Sequence, residues 1–219
     1  MFIYRKCLVI LHSLLTQSGN SHWANWITRD IYEWDTEQST SHHKSVFGGM
    51  GSINDQAIGP ISEIGCWQNT LFDCLKSISW QYAHNWEISN TKAIPSILNT
   101  TVCKDCGYQE ATSIDMEWYL ARKNLPSMIN LYLGRENFME LTNAKLLMQS
   151  KIVAIDREEL IKTLGDNNIT ITKSRNRMSV CPNCQSKQLS FKDLDTRKRE
   201  HHDATYSISW WSKLRGIFK

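Results

Sequence analysis

Cys103-Lys-Asp-Cys106-Gly107-Tyr108 and Cys181-Pro182-Asn-Cys184-Gln-Ser186 are the stretches whose reading decides the architecture. Each is a C-x-x-C turn, which sets two thiolates on one side of an ion while the N–H groups of the turn face the sulfurs. Zn²⁺ takes four soft or borderline ligands at tetrahedral corners, about 2.3 Å from each sulfur. Gly107 suits the left-handed position that closes such a turn, and Pro182 stiffens the second one. Cys103, Cys106, Cys181 and Cys184 are therefore the expected ligands of one zinc ion. The competing readings are a redox dithiol and four unrelated thiols. Four thiolates fill the shell, so a structural ion is expected rather than a hydrolytic one, which keeps an open position. No His lies between Cys106 and Cys181, and no His-x-Glu precedes a Pro-Cys-x-x-Cys. Those absences remove nuclease and deaminase readings that need such groups.

Both turns adjoin strand-like sequence, residues 94–102 before the first pair and Gln188–Lys192 after the second. The arrangement resembles a zinc ribbon over residues 98–109 and 178–192. The segment between the turns far exceeds the roughly 15–20 residues of a plain ribbon. A helical insertion is expected over about 110–175. Within it Asp115 is expected to cap a helix bearing Trp118, Leu120 and Leu125, and a second helix carries Phe138, Leu141, Leu146 and Leu147. Val153-Ala-Ile-Asp156 reads as a short strand. Asp156-Arg-Glu-Glu159 reads as a capping box for a helix that Gly165 stops, and Ile169-Thr-Ile-Thr172 alternates as a strand does.

Ahead of the ribbon the chain is helical and rich in Trp. Apolar residues at 4, 7, 8, 11, 14 and 15 form one helical face ending near Gln17, with Gly19 as the stop. Arg5 and Lys6 precede an apolar run, but His12 interrupts it and no small-x-small cleavage site follows, so an amphipathic helix is expected rather than an export signal. A second helix starts near Ser21, with Trp23, Ile27, Ile31 and Trp34 as its stripe. Residues 35–45 are polar, and a further helix is expected over about 67–84. Cys7, Cys66 and Cys74 read as small buried hydrophobes.

The other distinctive stretch is Ser41-His42-His43-Lys-Ser-Val-Phe-Gly48-Gly49-Met-Gly51-Ser52-Ile-Asn54-Asp55. Three Gly within four residues imply a backbone that side chains forbid, and Ser52 with Asp55 has the pattern of a helix N-cap. With His22-Trp-Ala-Asn-Trp26, this stretch resembles an uncharacterised family of bacterial proteins over roughly residues 5–60. The resemblance implies no established activity; it suggests an association with bacterial defence or immunity gene sets. Exposed N–H groups of the glycine turn can hold an anion, and His42 or His43 can act as acid, base or ligand. His42, His43, Gly48, Gly49, Gly51, Ser52, Asn54 and Asp55 are thus a possible ligand loop. The competing reading is a tight turn packed on Trp23 and Trp26, with His43 bonded to backbone.

With 41% hydrophobic and 21% charged residues, the chain is too apolar for disorder and too polar for a membrane bundle. No stretch reaches the roughly 18–20 apolar residues that span a bilayer. Seven Cys, an odd number, cannot all pair within one chain. Thiols in metal-type spacing, without an export signal, point to the cytoplasm. The formal charge of +3 is uneven: residues 173–219 carry a net +7 and residues 1–172 a net −4. The basic region can meet nucleic acid, an acidic partner or a membrane surface.

The expected fold class is α+β: a helical unit over 1–95, a ribbon with its insertion over 96–195, and a basic amphipathic tail over 196–219. The chain is short enough for the first two to share a core. The expected function is a zinc-stabilised interaction protein that binds another protein, as an immunity or defence component. A nucleic-acid-binding ribbon is the second reading, and an enzyme using His42, His43 and Asp55 the third.

Overall fold

The computed structural model describes residues 3–49, 51–85, 97–133 and 143–194. The basic tail and its His201-His202 pair, Met50, and the expected helix residues Phe138 and Leu141 lie outside these. Four helices come first: α1 Ile3–Gln17, α2 Ser21–Glu37, the short α3 Ser41–Lys44 and α4 Glu63–Ala83. The ribbon strands β1 Leu98–Cys103 and β2 Gln109–Thr112 follow. Then come α5 Ser113–Leu133, α6 Ala144–Met148, α7 Lys151–Asp166, β3 Ile169–Thr172 and β4 Leu189–Leu194. The class is α+β, with helices dominating the N-terminal part.

The first two helices form where the apolar periodicity puts them. Tyr4, Cys7, Leu8, Leu11, Leu14 and Leu15 of α1 are all buried. Lys6, also buried, donates to the Leu133 carbonyl at 3.0 Å and so satisfies a group at the end of α5. Asn20 caps α2 by accepting from the Trp23 N–H. Tyr4 gathers the front bundle: its ring stacks on Tyr82 of α4 at 5.0 Å and meets Trp34 of α2 edge-on at 4.9 Å.

The start of α4 differs from expectation. It begins at Glu63, capped by Ser62 Oγ accepting from the Gly65 N–H. The approaching loop is clamped by Asn69, whose Oδ1 accepts from the N–H groups of Ile58 and Gly59 and whose Nδ2 donates to the carbonyls of Gly59 and Gly65. This clamp leaves no room for side chains: a Cβ on Gly65 would lie 1.7 Å from the Pro60 carbonyl oxygen.

The four strands form one sheet in the order β3-β2-β1-β4. β1 pairs antiparallel with β2 and, over six residue pairs from Leu98↔Leu194 to Cys103↔Leu189, antiparallel with β4. β3 pairs in parallel with β2, so α5, α6 and α7 are the crossover between them. One apolar cluster runs from Tyr4 through Trp67, Leu75, Leu120 and Leu164 to Ile169. Front helices, insertion and sheet therefore share a core. Cys7, Cys66 and Cys74 lie inside it, and burial pushes the Cys66 and Cys74 thiols up to about 12.

Three local expectations in the insertion are overturned. Val153–Asp156 is helical and lies within α7; Ser150 caps that helix by accepting from the Val153 N–H. The β-branched run yields because Val153, Leu160 and Leu164 share one buried helical face. Asp156 and Arg157 are consequently not cap residues. Asp156 approaches Lys123 at 3.7 Å, and Arg157 forks onto Glu117 of α5 at 2.7 and 2.9 Å. Glu117 also accepts from Trp67 Nε1 at 3.0 Å, which ties α4, α5 and α7 to one carboxylate. Gly165 stays inside the last turn, and left-handed Asn168 follows the helix. Finally, α5 is capped by Thr112; Asp115 is its third residue, accepting from the Thr112 N–H and hydroxyl.

Gly65→Ala is expected to destabilise the protein by several kcal/mol, about 3 or more, because backbone must move. Gly165→Ala, where a Cβ meets nothing within 4 Å, is expected to stabilise it by about 0.5–1 kcal/mol. Urea midpoints of the two variants check this contrast.

Candidate functional site

The two C-x-x-C turns meet at the end of the sheet, and their backbones repeat each other. The Cys103 N–H donates to the Tyr108 carbonyl at 2.8 Å, and the Gly107 N–H to the Cys103 carbonyl at 2.9 Å. In the second turn Cys181 donates to Ser186 at 2.8 Å, and Gln185 to Cys181 at 2.9 Å. The residue after each second cysteine is left-handed, Gly107 at φ 74° and Gln185 at φ 61°. The expected role of Gly107 holds, and Gln185 takes the same conformation despite its side chain. The turns are also joined to each other: Ser186 Oγ donates to Asp105, and the Lys104 N–H to the Gln188 carbonyl at 2.8 Å.

The register of β1 against β4 brings the sulfurs together. All four Sγ atoms lie within 4.8 Å of one another and could hold a metal ion. Cys103 and Cys184 have their sulfurs 3.6 Å apart, and Cys106 and Cys181 3.5 Å apart. Sulfurs at the corners of a tetrahedron around an ion about 2.3 Å away stand about 3.8 Å apart, so these spacings suit a thiophilic ion. Cys103 and Cys181 are buried; Cys106 and Cys184 are exposed. The Tyr108 N–H facing Cys106 favours its thiolate and holds that thiol down to about 6. At Cys184 the Ser186 N–H does the same and is the largest single influence, but the Cys106, Cys103 and Cys181 sulfurs and desolvation together outweigh it and push the thiol up to about 12. Four sulfurs this close cannot all be anionic without a cation.

In the N-terminal helices, α2 and α3 build a second polar cluster. Asp30, buried on α2, accepts from both histidines of the His-His pair: from His42 Nδ1 through Oδ1, and from His43 Nδ1 through Oδ2 at 2.7 Å. His42 stacks on Trp26 with centroids 4.6 Å apart. His43 is wholly buried between Tyr4 and Phe47, and its partner is Asp30 rather than backbone. With both Nδ1–H groups committed, a neutral ring carries its lone pair on Nε2, and that of His43 has no partner. Among the described residues no hydroxyl or thiol is hydrogen-bonded to either ring. The cluster thus holds a positioned imidazole but pairs it with no nucleophile.

Glu33, one turn beyond Asp30, latches the same junction: it accepts from the His42 N–H at 2.9 Å and from Ser39 Oγ. Burial alone would raise its carboxyl, but these hydrogen bonds outweigh that and hold it below the ordinary range.

Among the described residues, no hydrogen bond joins the glycine turn to the histidine rings. Gly49 and Gly51 are left-handed, and Ser52 caps a single 3₁₀ turn, Ile53–Asp55, by accepting from the Asn54 N–H. Gly48 is extended. Asp55 accepts from the Gly51 N–H at 2.7 Å, so the turn already holds an anion of its own. Asn54 lines a cavity of about 380 Å³ with Phe47, Asp73, Lys76, Ser77 and Trp80. The carboxylate at the histidines is Asp30, which sequence reading passed over. Its signal was there: at position 30 it sits on the stripe of Trp23, Ile27 and Trp34, where an apolar residue is due.

A third feature escaped the sequence altogether. Arg122 of α5 and Arg175 and Arg177 of the segment entering the second turn surround a cleft of about 260 Å³, with Trp118 and Asn99 in its wall.

Comparison with known proteins adds one finding. A family model described as a domain of unknown function, DUF6966, matches residues 16–62. That span contains Asp30, both histidines and the glycine turn, and excludes the four cysteines. No curated protein and no solved structure matches the chain.

Asp30→Asn is expected to cost about 2 kcal/mol or more, because a buried imidazole loses its charged acceptor; chemical denaturation measures it. Glu33 is depressed in the fold, so its contribution exists above the ordinary carboxylate range and fades as pH falls through it. Glu33→Gln is therefore expected to lower stability slightly at pH 7, with the difference from the parent shrinking as pH falls below the ordinary carboxylate range, as thermal melts across that range test.

Proposed function

We propose that the protein is a zinc-ordered binding protein, in which the ion holds the ribbon together and the surrounding surface engages another macromolecule. The observation that carries this is the closed set of four sulfurs. Thiolates suit Zn²⁺, and four of them leave no position for water or substrate. The ion would then act on folding, where sites of this kind contribute on the order of 10 kcal/mol in small domains. Reduced thiols fit a cytoplasmic setting. No helix among the described residues is long and apolar enough to cross a membrane.

The partner we propose first is another protein, with this chain as a subunit of bacterial defence or immunity type. The resemblance over residues 5–60 supports this, as does the exposure of large apolar side chains at Ile61, Tyr32 and Phe191. Aromatic side chains at a surface are favoured anchors of interfaces. The second reading, nucleic acid, draws on the arginines around the cleft.

Purified protein is expected to carry about one zinc per chain by elemental analysis. Cys181→Ser and prolonged chelation should each release it and sharply lower the melting temperature. Metal-free protein with an unchanged melt would remove the proposal. Co-purification with products of adjacent genes tests the partner, and a lone monomer under those conditions counts against it.

A further inference from the structure

We propose that the cleft between α5 and the segment entering the second cysteine turn binds a phosphate group, gripped by Arg122 and Arg175. This deepens the binding-protein reading and rests on it.

The walls are built, not incidental. Arg177 donates to Asp115 at 2.6 Å, and its guanidinium also covers the Phe191 ring at 4.9 Å. The Met178 N–H donates to Glu110 at 2.9 Å. These contacts pin residues 177 and 178 to β2, to the first turn of α5 and to β4. The short exposed arm carrying Arg175 thereby stands opposite α5. Arg122 projects from two turns further along α5 and lies over the Trp118 ring at 5.1 Å, which orients its fork. Asn99 of β1 adds an amide to the wall.

The charge is unbalanced. Three guanidiniums face one carboxylate, Asp115, and that one is spent on Arg177 and Thr112. Neither Arg122 nor Arg175 is paired with a carboxylate among the described residues. Elsewhere the partly buried arginine of the insertion, Arg157, is matched with Glu117, so charge compensation is the pattern this cleft breaks. A guanidinium presents two parallel N–H donors that match the oxygens of a phosphate, and two of them across a cleft complement a dianion. The volume of about 260 Å³ admits a phosphate group and one further moiety, not a folded partner. The α5 terminus offers little competition for the role, since Asp115 already engages the Thr112 N–H.

The phosphate can arrive free, as a monoester or in a nucleic-acid strand, and the test separates these sources. Zinc-loaded full-length protein is titrated calorimetrically at low salt with inorganic phosphate, adenosine monophosphate and a short oligodeoxythymidylate. At least one is expected to bind. Arg122→Gln/Arg175→Gln should weaken that binding about tenfold or more, and Arg122→Lys/Arg175→Lys less, because charge remains while the fork is lost. Lys162→Gln, on the exposed face of α7, should leave it unchanged. Circular dichroism and zinc content confirm that the variants are folded. Binding of phosphate or monophosphate without the oligonucleotide keeps the cleft and removes the nucleic-acid reading. Oligonucleotide binding that ignores the double Gln variant keeps that reading and overturns the cleft. No binding of any of the three, or equal binding by both proteins, also overturns it.

Discussion

Four sulfurs drawn to within 4.8 Å of one another, from turns far apart in the chain, set the constraint that the back half obeys. Thiolates at that distance repel, so the arrangement calls for a cation at its centre. Its consequence is topological. The ends of β1 and β4 must meet, and the six-residue register between them follows. Everything between Cys106 and Cys181 then becomes a loop closed at its base. Closure entropy grows only slowly with loop length, so the ribbon tolerates α5, α6, α7 and β3 as well as its own β2 between its turns. β3 returns alongside β2, which stitches the insertion into the same sheet.

The front half is organised around a buried polar junction. Asp30 on α2 reaches both histidines of α3, and His43 meets Tyr4 of α1, whose ring stacks on Tyr82 of α4. Four helices thus converge on one carboxylate and one phenol ring. A buried charge is costly unless its oxygens are bonded, and here both oxygens are used. The junction is therefore intolerant of partial change. Asp30, His42 and His43 lie within the segment matched by the family model, residues 16–62, whereas Tyr4, Tyr82 and the four cysteines lie outside it.

The halves are joined by more than apolar contact. Glu117 takes Trp67 of α4 on one side and Arg157 of α7 on the other, and Lys6 of α1 reaches the last carbonyl of α5. Such bonds fix the angle at which α4 and α5 pack. α5 in turn carries Trp118 and Arg122 to the ribbon side, where the arginine cleft opens.

What could be read from the sequence was whatever is set by neighbours along the chain. The C-x-x-C turns are chelating by their own geometry, Gly107 announces a left-handed closure, and residues 4–15 and 169–172 carry the periods of a helix and a strand. Pairing the two turns needed only the inference that like ligands share an ion. The rest depended on groups that meet through space. Val153-Ala-Ile-Asp156 has strand-like residues, yet the face it shares with Leu160 and Leu164 made it helical. Asp30 gains meaning only from two histidines twelve and thirteen residues later, delivered by a turn between helices. Arg122 and Arg175 become one feature only because Arg177 is tied to Asp115 and Met178 to Glu110. Local covalent geometry was legible from the chain itself; the partnerships of charged side chains were decided by packing, because a charge takes its partner from whatever the fold brings within reach.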